Sequence, residues 1–177
     1  FSSIFSGLIF FCTLFLLQDI YSTPFSIYHT FVVEEKFGFN KTSPKTYILD
    51  KIKSYILIII IGGFILFLLL YFFEAYGDLA WLYAWVAIAA FLILIQPLFT
   101  LIISPIFNTF TPLENGELKQ RIKDFAENND FPLNRIDVMD GSRRSSKANA
   151  YFSGLGKNKR IALFDTLIEN HTVDELL

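Results

Sequence analysis

Cysteine occurs once in 177 residues, as Cys12 inside an apolar run, so neither a disulfide framework nor a thiolate-built metal site is available. Cys12 reads as a small buried or lipid-facing hydrophobe. Histidine is nearly as scarce: His29 and His171 are the only two, and neither has a second histidine at the i+4 spacing that puts two ligands on one helix face. His29 reads as an interfacial aromatic near a span end and His171 as a solvent residue beside a helix cap. No residue is assigned to metal binding or to catalysis. Charge is missing in blocks: no charged side chain precedes Asp19, and between Lys53 and Glu114 only Glu74 and Asp78 carry one. Nor is there a broad basic field. Arg143, Arg144 and Lys147 form a short cluster without interleaved aromatics, which excludes nucleic acid as the natural partner.

What fills the chain instead is hydrocarbon. Hydrophobic residues make up 53% and aromatic residues 18%, 21 of them Phe, and the mean hydropathy is +0.46. That is too apolar for an ordinary soluble domain and places the protein in a membrane. The net charge of −2 averages two unlike regions, nearly uncharged spans before Ser104 and a charge-rich tail from Asn108 onward.

Three runs are long enough to cross a bilayer. Phe1 to Leu17 is apolar except for Ser and Thr, which a helix in lipid accommodates by bonding to its own backbone. Gln18 and Asp19 break it, and Pro24 marks either a kink or the start of a second piece, Phe25 to Val33. Ile52 to Phe73 is almost pure Ile, Leu and Phe beyond Lys53, with Tyr71, Phe72 and Phe73 where an aromatic belt belongs. Leu79 to Ile103 is the third run, with a kink expected at Pro97. Lys36, Lys41, Lys45, Lys51 and Lys53 are expected in the loop before the second run, whereas the turn from Glu74 to Asp78 holds no Lys or Arg. The positive-inside rule then makes the loop and the tail cytoplasmic. Asp19, Gln18 and Gln96 are polar groups in or near spans, where such groups face a bundle interior or snorkel to the helix end.

In the tail, Asn108 to Pro112 reads as an exit linker. Glu117 to Asn128 places Leu118, Ile122, Phe125 and Ala126 on one helical face. Arg135 to Met139 alternates as a strand does, Asp140-Gly141 is a turn, and two strand-like runs follow, Ala148 to Ser153 and Lys159 to Phe164. Between them Gly154-Leu155-Gly156-Lys157-Asn158 has hairpin-turn composition, its glycines supplying positive φ. Glycines between strands are not a phosphate cradle, which needs a helix N-terminus after them. Asp165 and Thr166 are expected to cap a short helix. Thr172-Val173-Asp174-Glu175 is a capping box that opens another helix. A helix announced by a cap and stopped within about one turn is not self-sufficient, and Phe1 sits inside an apolar run without a charged leader. The sequence is therefore expected to be a fragment cut at both ends.

Three segments together resemble one family. Residues 24–40 (Pro-Phe-Ser-Ile-Tyr-His-Thr-Phe-Val-Val-Glu-Glu-Lys-Phe-Gly-Phe-Asn), 105–113 (Pro-Ile-Phe-Asn-Thr-Phe-Thr-Pro-Leu) and 142–168, with Asn149-Ala150-Tyr151-Phe152 and Arg160-Ile161-Ala162-Leu163-Phe164-Asp165-Thr166-Leu167, resemble the type I CAAX prenyl endopeptidases in their order and spacing. The resemblance implies a membrane all-α helical bundle followed by a partial α+β zinc-metalloprotease domain. Residues 1–106 would hold about three spans and the connecting loop, and 107–177 the first part of a cytoplasmic peptidase domain. In that family seven spans enclose a water-filled chamber, and a His-Glu-x-x-His helix supplies two zinc ligands and the general base. No such motif occurs here, so zinc belongs to the intact protein, its ligands lie outside this chain, and the chain alone is expected to be inactive. The implied substrates are proteins or peptides with a C-terminal CAAX sequence, and the implied location is a bacterial inner membrane or the endoplasmic reticulum, with membrane lipid as a further partner.

By the same resemblance Asn149, Ala150 and Tyr151 lie on an edge strand where an extended substrate adds as a further strand. The bland alternative is an ordinary hairpin strand with Tyr151 or Phe152 in the core. Arg143, Arg144 and Lys147 can meet a substrate's terminal carboxylate or anionic lipid headgroups, or form a solvated face. Two other classes compete for the whole chain: a non-enzymatic receptor or scaffold with a cytoplasmic peptide-binding domain, and a transporter whose spans bend at Pro24 and Pro97.

Overall fold

The computed structural model describes residues 3–154, 156 and 158–176. Leu155 and Lys157 of the expected hairpin turn lie outside the described residues, as do Phe1, Ser2 and Leu177. The chain divides into two units, residues 1–36 with 44–94, and residues 37–43 with 95–177.

Three helices are long and apolar enough to cross a membrane: Ser3–Glu34, Pro44–Ala75 and Gly77–Phe107. The first and third are continuous across Pro24 and Pro97, where the sequence suggested a fresh start or a kink. The first runs through Pro24 and ends in a π-helical segment, His29–Glu34. The second begins at Pro44, so Lys45, Lys51 and Lys53 ride on its opening turns instead of lying in the preceding loop. Proline at the first helical position costs nothing because its missing N–H has no partner there. In the third, Pro97 lies within the α-helix, and π-helical turns follow at Phe99–Ile103.

Within the first unit the first two spans run antiparallel. Ser3 bonds to Glu74, Asp19 to Tyr55, and the Tyr47 hydroxyl donates to Ser26 Oγ at 3.0 Å. Gly7 lets the helices close up, since a Cβ there would stand 2.9 Å from Leu70 Cδ1. Their outer surfaces carry exposed Phe10, Leu17, Ile59 and Ile60. Large apolar side chains arrayed outward over whole helices suit a hydrocarbon solvent.

The second unit is built on a four-stranded sheet in the order β1-β2-β4-β3, where β1 is Phe110–Pro112, β2 Leu133–Met139, β3 Ala150–Ser153 and β4 Lys159–Phe164. β1 lies in the stretch read as a linker; it exists because β2 supplies its partners, Phe110 opposite Met139 and Pro112 opposite Asp137. β2 and β4 are parallel, and β3 returns antiparallel on β4. One sheet face meets the Glu117–Asn128 and Asp165–Asn170 helices around Leu113, Ile122, Ile136 and Leu163, with Leu118, Val138, Ile161 and Leu167 packed against them. The expected positive-φ glycines are found at Gly154 and Gly156, with φ of 103° and 57°. The Thr172 capping box opens a single turn of 3-10 helix, Val173–Glu175.

Candidate functional site

β3 is the outer strand of the sheet, so among the described residues no strand lies along one side of its backbone. Antiparallel pairing makes residues alternate between hydrogen-bonding the partner and facing away from it. The Phe164 N–H donates to the Asn149 carbonyl at 3.0 Å, which fixes the phase. With Tyr151 opposite Ala162 and Ser153 opposite Arg160, these residues point their backbone polar groups at β4, and Ala150 and Phe152 point theirs outward. The free edge therefore offers Ala150 and Phe152. Of the expected Asn149, Ala150 and Tyr151, only Ala150 faces out through its backbone. Asn149 takes part differently: its Oδ1 accepts the Ala150 N–H at 2.9 Å, covering one donor of the edge.

Tyr151 instead turns its side chain beneath the sheet. Its hydroxyl lies 3.3 Å from Ser104 Oγ, and its ring meets Phe164 edge-on. Phe152 stands on the opposite face, 71% exposed and edge-on to Phe131. It forms one wall of an apolar trough of about 510 Å³ running beside β3, with Phe125, Phe131, Ile161, Leu163 and Leu176. Sequence reading missed the outward role of Phe152, although the period-2 alternation contains it once the register is known.

Several bonds hold the approach to β3. Thr166 Oγ1 donates to the Lys147 carbonyl at 3.0 Å. Asp165 accepts the Ser142 N–H and the Thr166 N–H, each at 2.8 Å, and also the Ser142 hydroxyl. Asp165 thus ties the Gly141–Arg143 turn to the following helix, beyond the cap expected of it. Burial pushes its carboxyl up, but the donors from Ser142, Thr166 and Gly141 outweigh this and hold it below the usual carboxylate range. Residues 38–42 form a strap along the same approach. Lys41 N–H bonds the Arg144 carbonyl and Ser146 N–H the Phe39 carbonyl, both at 3.0 Å, and Thr42 Oγ1 also donates to Arg144 at 3.1 Å.

The basic cluster does not converge. Arg144 donates to Asn108 Oδ1 at 2.9 Å and to the Phe107 carbonyl at 2.6 Å, closing the C-terminal end of the third span. Lys147 stands over the Phe39 ring at 4.8 Å, and Arg143 is exposed. Near the last described residues the Thr172 N–H and hydroxyl hold the Glu175 carboxyl below its usual range against a smaller opposing effect of burial. Arg121 bonds Asp174 at 2.5 Å, which raises its pKa.

His29 is exposed and 3.8 Å from Glu34, and His171 Nδ1 is 3.0 Å from the Leu167 carbonyl. Among the described residues no group of three or more His, Cys, Asp or Glu is placed to hold a metal ion. Gln18 and Gln96 are exposed on their helices, and Asp19 is bonded between the first two spans.

Comparison with known proteins covers nearly the whole chain. Residues 1–109 match the family model described as CAAX prenyl protease N-terminal, five membrane helices, and residues 112–177 match peptidase family M48. CAAX prenyl protease 1 of Saccharomyces cerevisiae is 45% identical over 99% of this chain and 39% of its own length. The CAAX prenyl protease 1 homolog of Mus musculus is 41% identical over 96% of this chain and 36% of its own. The crystal structure of S. mikatae Ste24p superposes with a TM-score of 0.91 at 45% identity, over 96% of this chain and 40% of that one. The chain therefore spans about two-fifths of the length of the curated relatives it matches.

Proposed function

The chain belongs to peptidase family M48, in the branch whose membrane region is that of the CAAX prenyl proteases, and on that premise we propose that it supplies spans and the substrate-binding edge of an integral-membrane zinc metalloendopeptidase. The substrates are prenylated proteins with a C-terminal CAAX sequence, and the reaction removes the terminal tripeptide. The peptidase part, residues 107–177 of this chain, lies on the cytosolic face.

The observation that carries this reading is the unpaired side of β3. An extended peptide lying along it receives the Phe152 N–H and gives its own N–H groups to the Ala150 and Phe152 carbonyls, as β-addition requires. The Ala150 N–H becomes available when the Asn149 side chain swings off it. Backbone pairing reads no sequence and leaves selection to side-chain pockets, and the trough beside Phe152 is apolar, as an aliphatic substrate residue needs. The described side chains do not fit a zinc centre. In this reading the metal, which supplies the Lewis acid and the activated water when bound, is held by residues outside this chain. Within the chain the residues bind and align the peptide, and no proton transfer is assigned to them.

The test uses the full-length protein and a farnesylated CAAX peptide. Phe152→Pro removes an outward donor and places a ring in the peptide's path without touching a β4 bond. Its expected result is a KM raised roughly ten-fold or more, the loss of one or two edge hydrogen bonds plus a steric clash, with an unchanged melting temperature. Asn149→Ala is expected to alter turnover at matched folding. Wild-type kinetics in both variants would remove the edge from the site, and peptide capture with no cleavage by the intact protein would favour a receptor.

A further inference from the structure

A cleft of about 330 Å³ in the second unit lies between the Pro97–Leu101 stretch of the third span and the beginnings of β2 and β4. Among the described residues Arg135, Lys159 and Arg160 line it, with Asn134 and Asn158, and no acidic side chain does. The Asp137 carboxylate is wholly buried behind them. It pairs with Arg135 Nε at 2.5 Å and stands 3.5 Å from Arg160 Nη1. On this face of the sheet two guanidinium groups, Arg135 and Arg160, stand against one carboxylate and leave a surplus of one positive charge among the described residues.

That surplus is built in by the register. Arg135 and Arg160 are direct partners across the parallel β2–β4 pair, and like charges side by side on one sheet face repel. Asp137 offsets one of them. Arg160 is clamped over the Phe110 ring at 4.5 Å, and its Nε and Nη2 are buried without an acceptor among the described residues. The Lys159 ammonium sits over the Phe131 ring at 4.2 Å, on the opposite face of the sheet, and the Arg135 side chain is 53% exposed. Arg160 is thus held in place by a ring and its strand with two N–H groups left without an acceptor among the described residues, as an oxyanion site requires.

The opposite wall identifies the kind of anion. Pro97 and Leu101 belong to a helix apolar enough to span a bilayer, and Leu101 is 73% exposed. A free phosphate gains nothing from such a wall, whereas an amphiphile fills both sides, headgroup on the guanidinium side and acyl chain along Leu101. We propose that this cleft binds the headgroup of an anionic phospholipid. Arg143, Arg144 and Lys147 are not part of it.

Native mass spectrometry of the full-length protein, released from bilayers of phosphatidylcholine with a minority of phosphatidylglycerol, tests the assignment. Wild type is expected to retain one phosphatidylglycerol per chain in preference to phosphatidylcholine. Arg135→Gln should weaken retention roughly five-fold, the effect of one basic residue near a lipid surface, and Lys159→Gln, whose ammonium lies on the other sheet face, should leave it unchanged. The double variant Asn134→Asp with Asn158→Asp leaves every ion pair intact, keeps the melting temperature and should abolish the preference; Lys123→Gln on the Glu117–Asn128 helix should change nothing. Equal retention of both lipids, wild-type retention by the double variant, or displacement of the lipid by tens of millimolar inorganic phosphate would each overturn the proposal.

Discussion

Asp165 links the turn at Gly141–Arg143 to the helix it begins, and its ionised form is what the donors favour. Its folded pKa is depressed, so the folded state binds fewer protons than the unfolded chain across that interval. The stabilisation is complete above the unfolded carboxylate value near 3.9 and is lost as pH falls through the lower folded value. Denaturation at pH 7 and at pH 3 should show a larger pH-dependent loss in wild type than in Asp165→Asn, which keeps the share due to Glu175, the variant being the less stable at pH 7. Arg144 makes a second prediction at this scale. It serves as the C-terminal closure of the third span through Phe107 O and Asn108. Arg144→Ala should cost about 1.5–3 kcal/mol, the range for hydrogen bonds from a charged donor, in denaturant unfolding. Lys should not restore it, because two acceptors need a fork. Neither role was legible in sequence: a cluster of basic residues gives charge but not aim. Tyr151 and Phe152 show the same limit, since alternation says that they face opposite ways and only the register with Ala162 and Ile161 says which way is in.

The elements read from sequence were those whose own residues specify them. The Glu117–Asn128 helix and the Lys159–Phe164 strand have the expected limits because an amphipathic face and an apolar run bounded by turn residues lie within each segment. β1 was missed because three residues ending in Pro112 become a strand only through β2. The parallel order β2-β4 was missed because nothing local encodes which strand lies next to which. The π-helical turns at His29–Glu34, Ile58–Gly62 and Phe99–Ile103 were missed because a single extra residue per turn leaves composition unchanged. Between spans, the Asp19 carboxylate accepts from Lys51 at 3.0 Å and Tyr55 at 2.5 Å, and Thr23 bonds the same group. An ion pair placed between two membrane helices specifies their register more than it adds stability. Lys51→Met strands a carboxylate in the pair and should lower the melting temperature. Asp19→Asn with Lys51→Met removes both charges and should recover most of that loss, with Tyr55 still able to donate to the amide. A double variant as unstable as the single one would show that the pair itself, and not the uncompensated charge, is what holds the helices together.

Across the whole molecule, two independent features set the membrane topology. Two spans separate the loop at residues 35–43 from the sheet, so that loop and the sheet must leave the bilayer on the same face. The strap contacts from Phe39, Lys41 and Thr42 to residues 144–146 require the same arrangement. In the proposed orientation that face is cytosolic, as the positive-inside rule expects: Lys36, Lys41, Lys45, Lys51 and Lys53 flank that side, and the Glu74–Asp78 turn on the other side has no base but a cluster of rings, Tyr76 and Tyr83 at 4.4 Å with Phe72 beside them. In a Cys12→Ser background, a cysteine at Asp78 should react with an impermeant maleimide added to sealed vesicles whose cytosolic face is inward. Cysteines at Lys36 and Lys123 should react only after the vesicles are opened. Labelling of Lys36→Cys and Lys123→Cys on opposite sides would break the strap and the span count together. Labelling of both from outside would keep the fold and reverse its orientation, moving the proposed peptide-binding edge away from the cytosolic face on which a CAAX substrate would meet it.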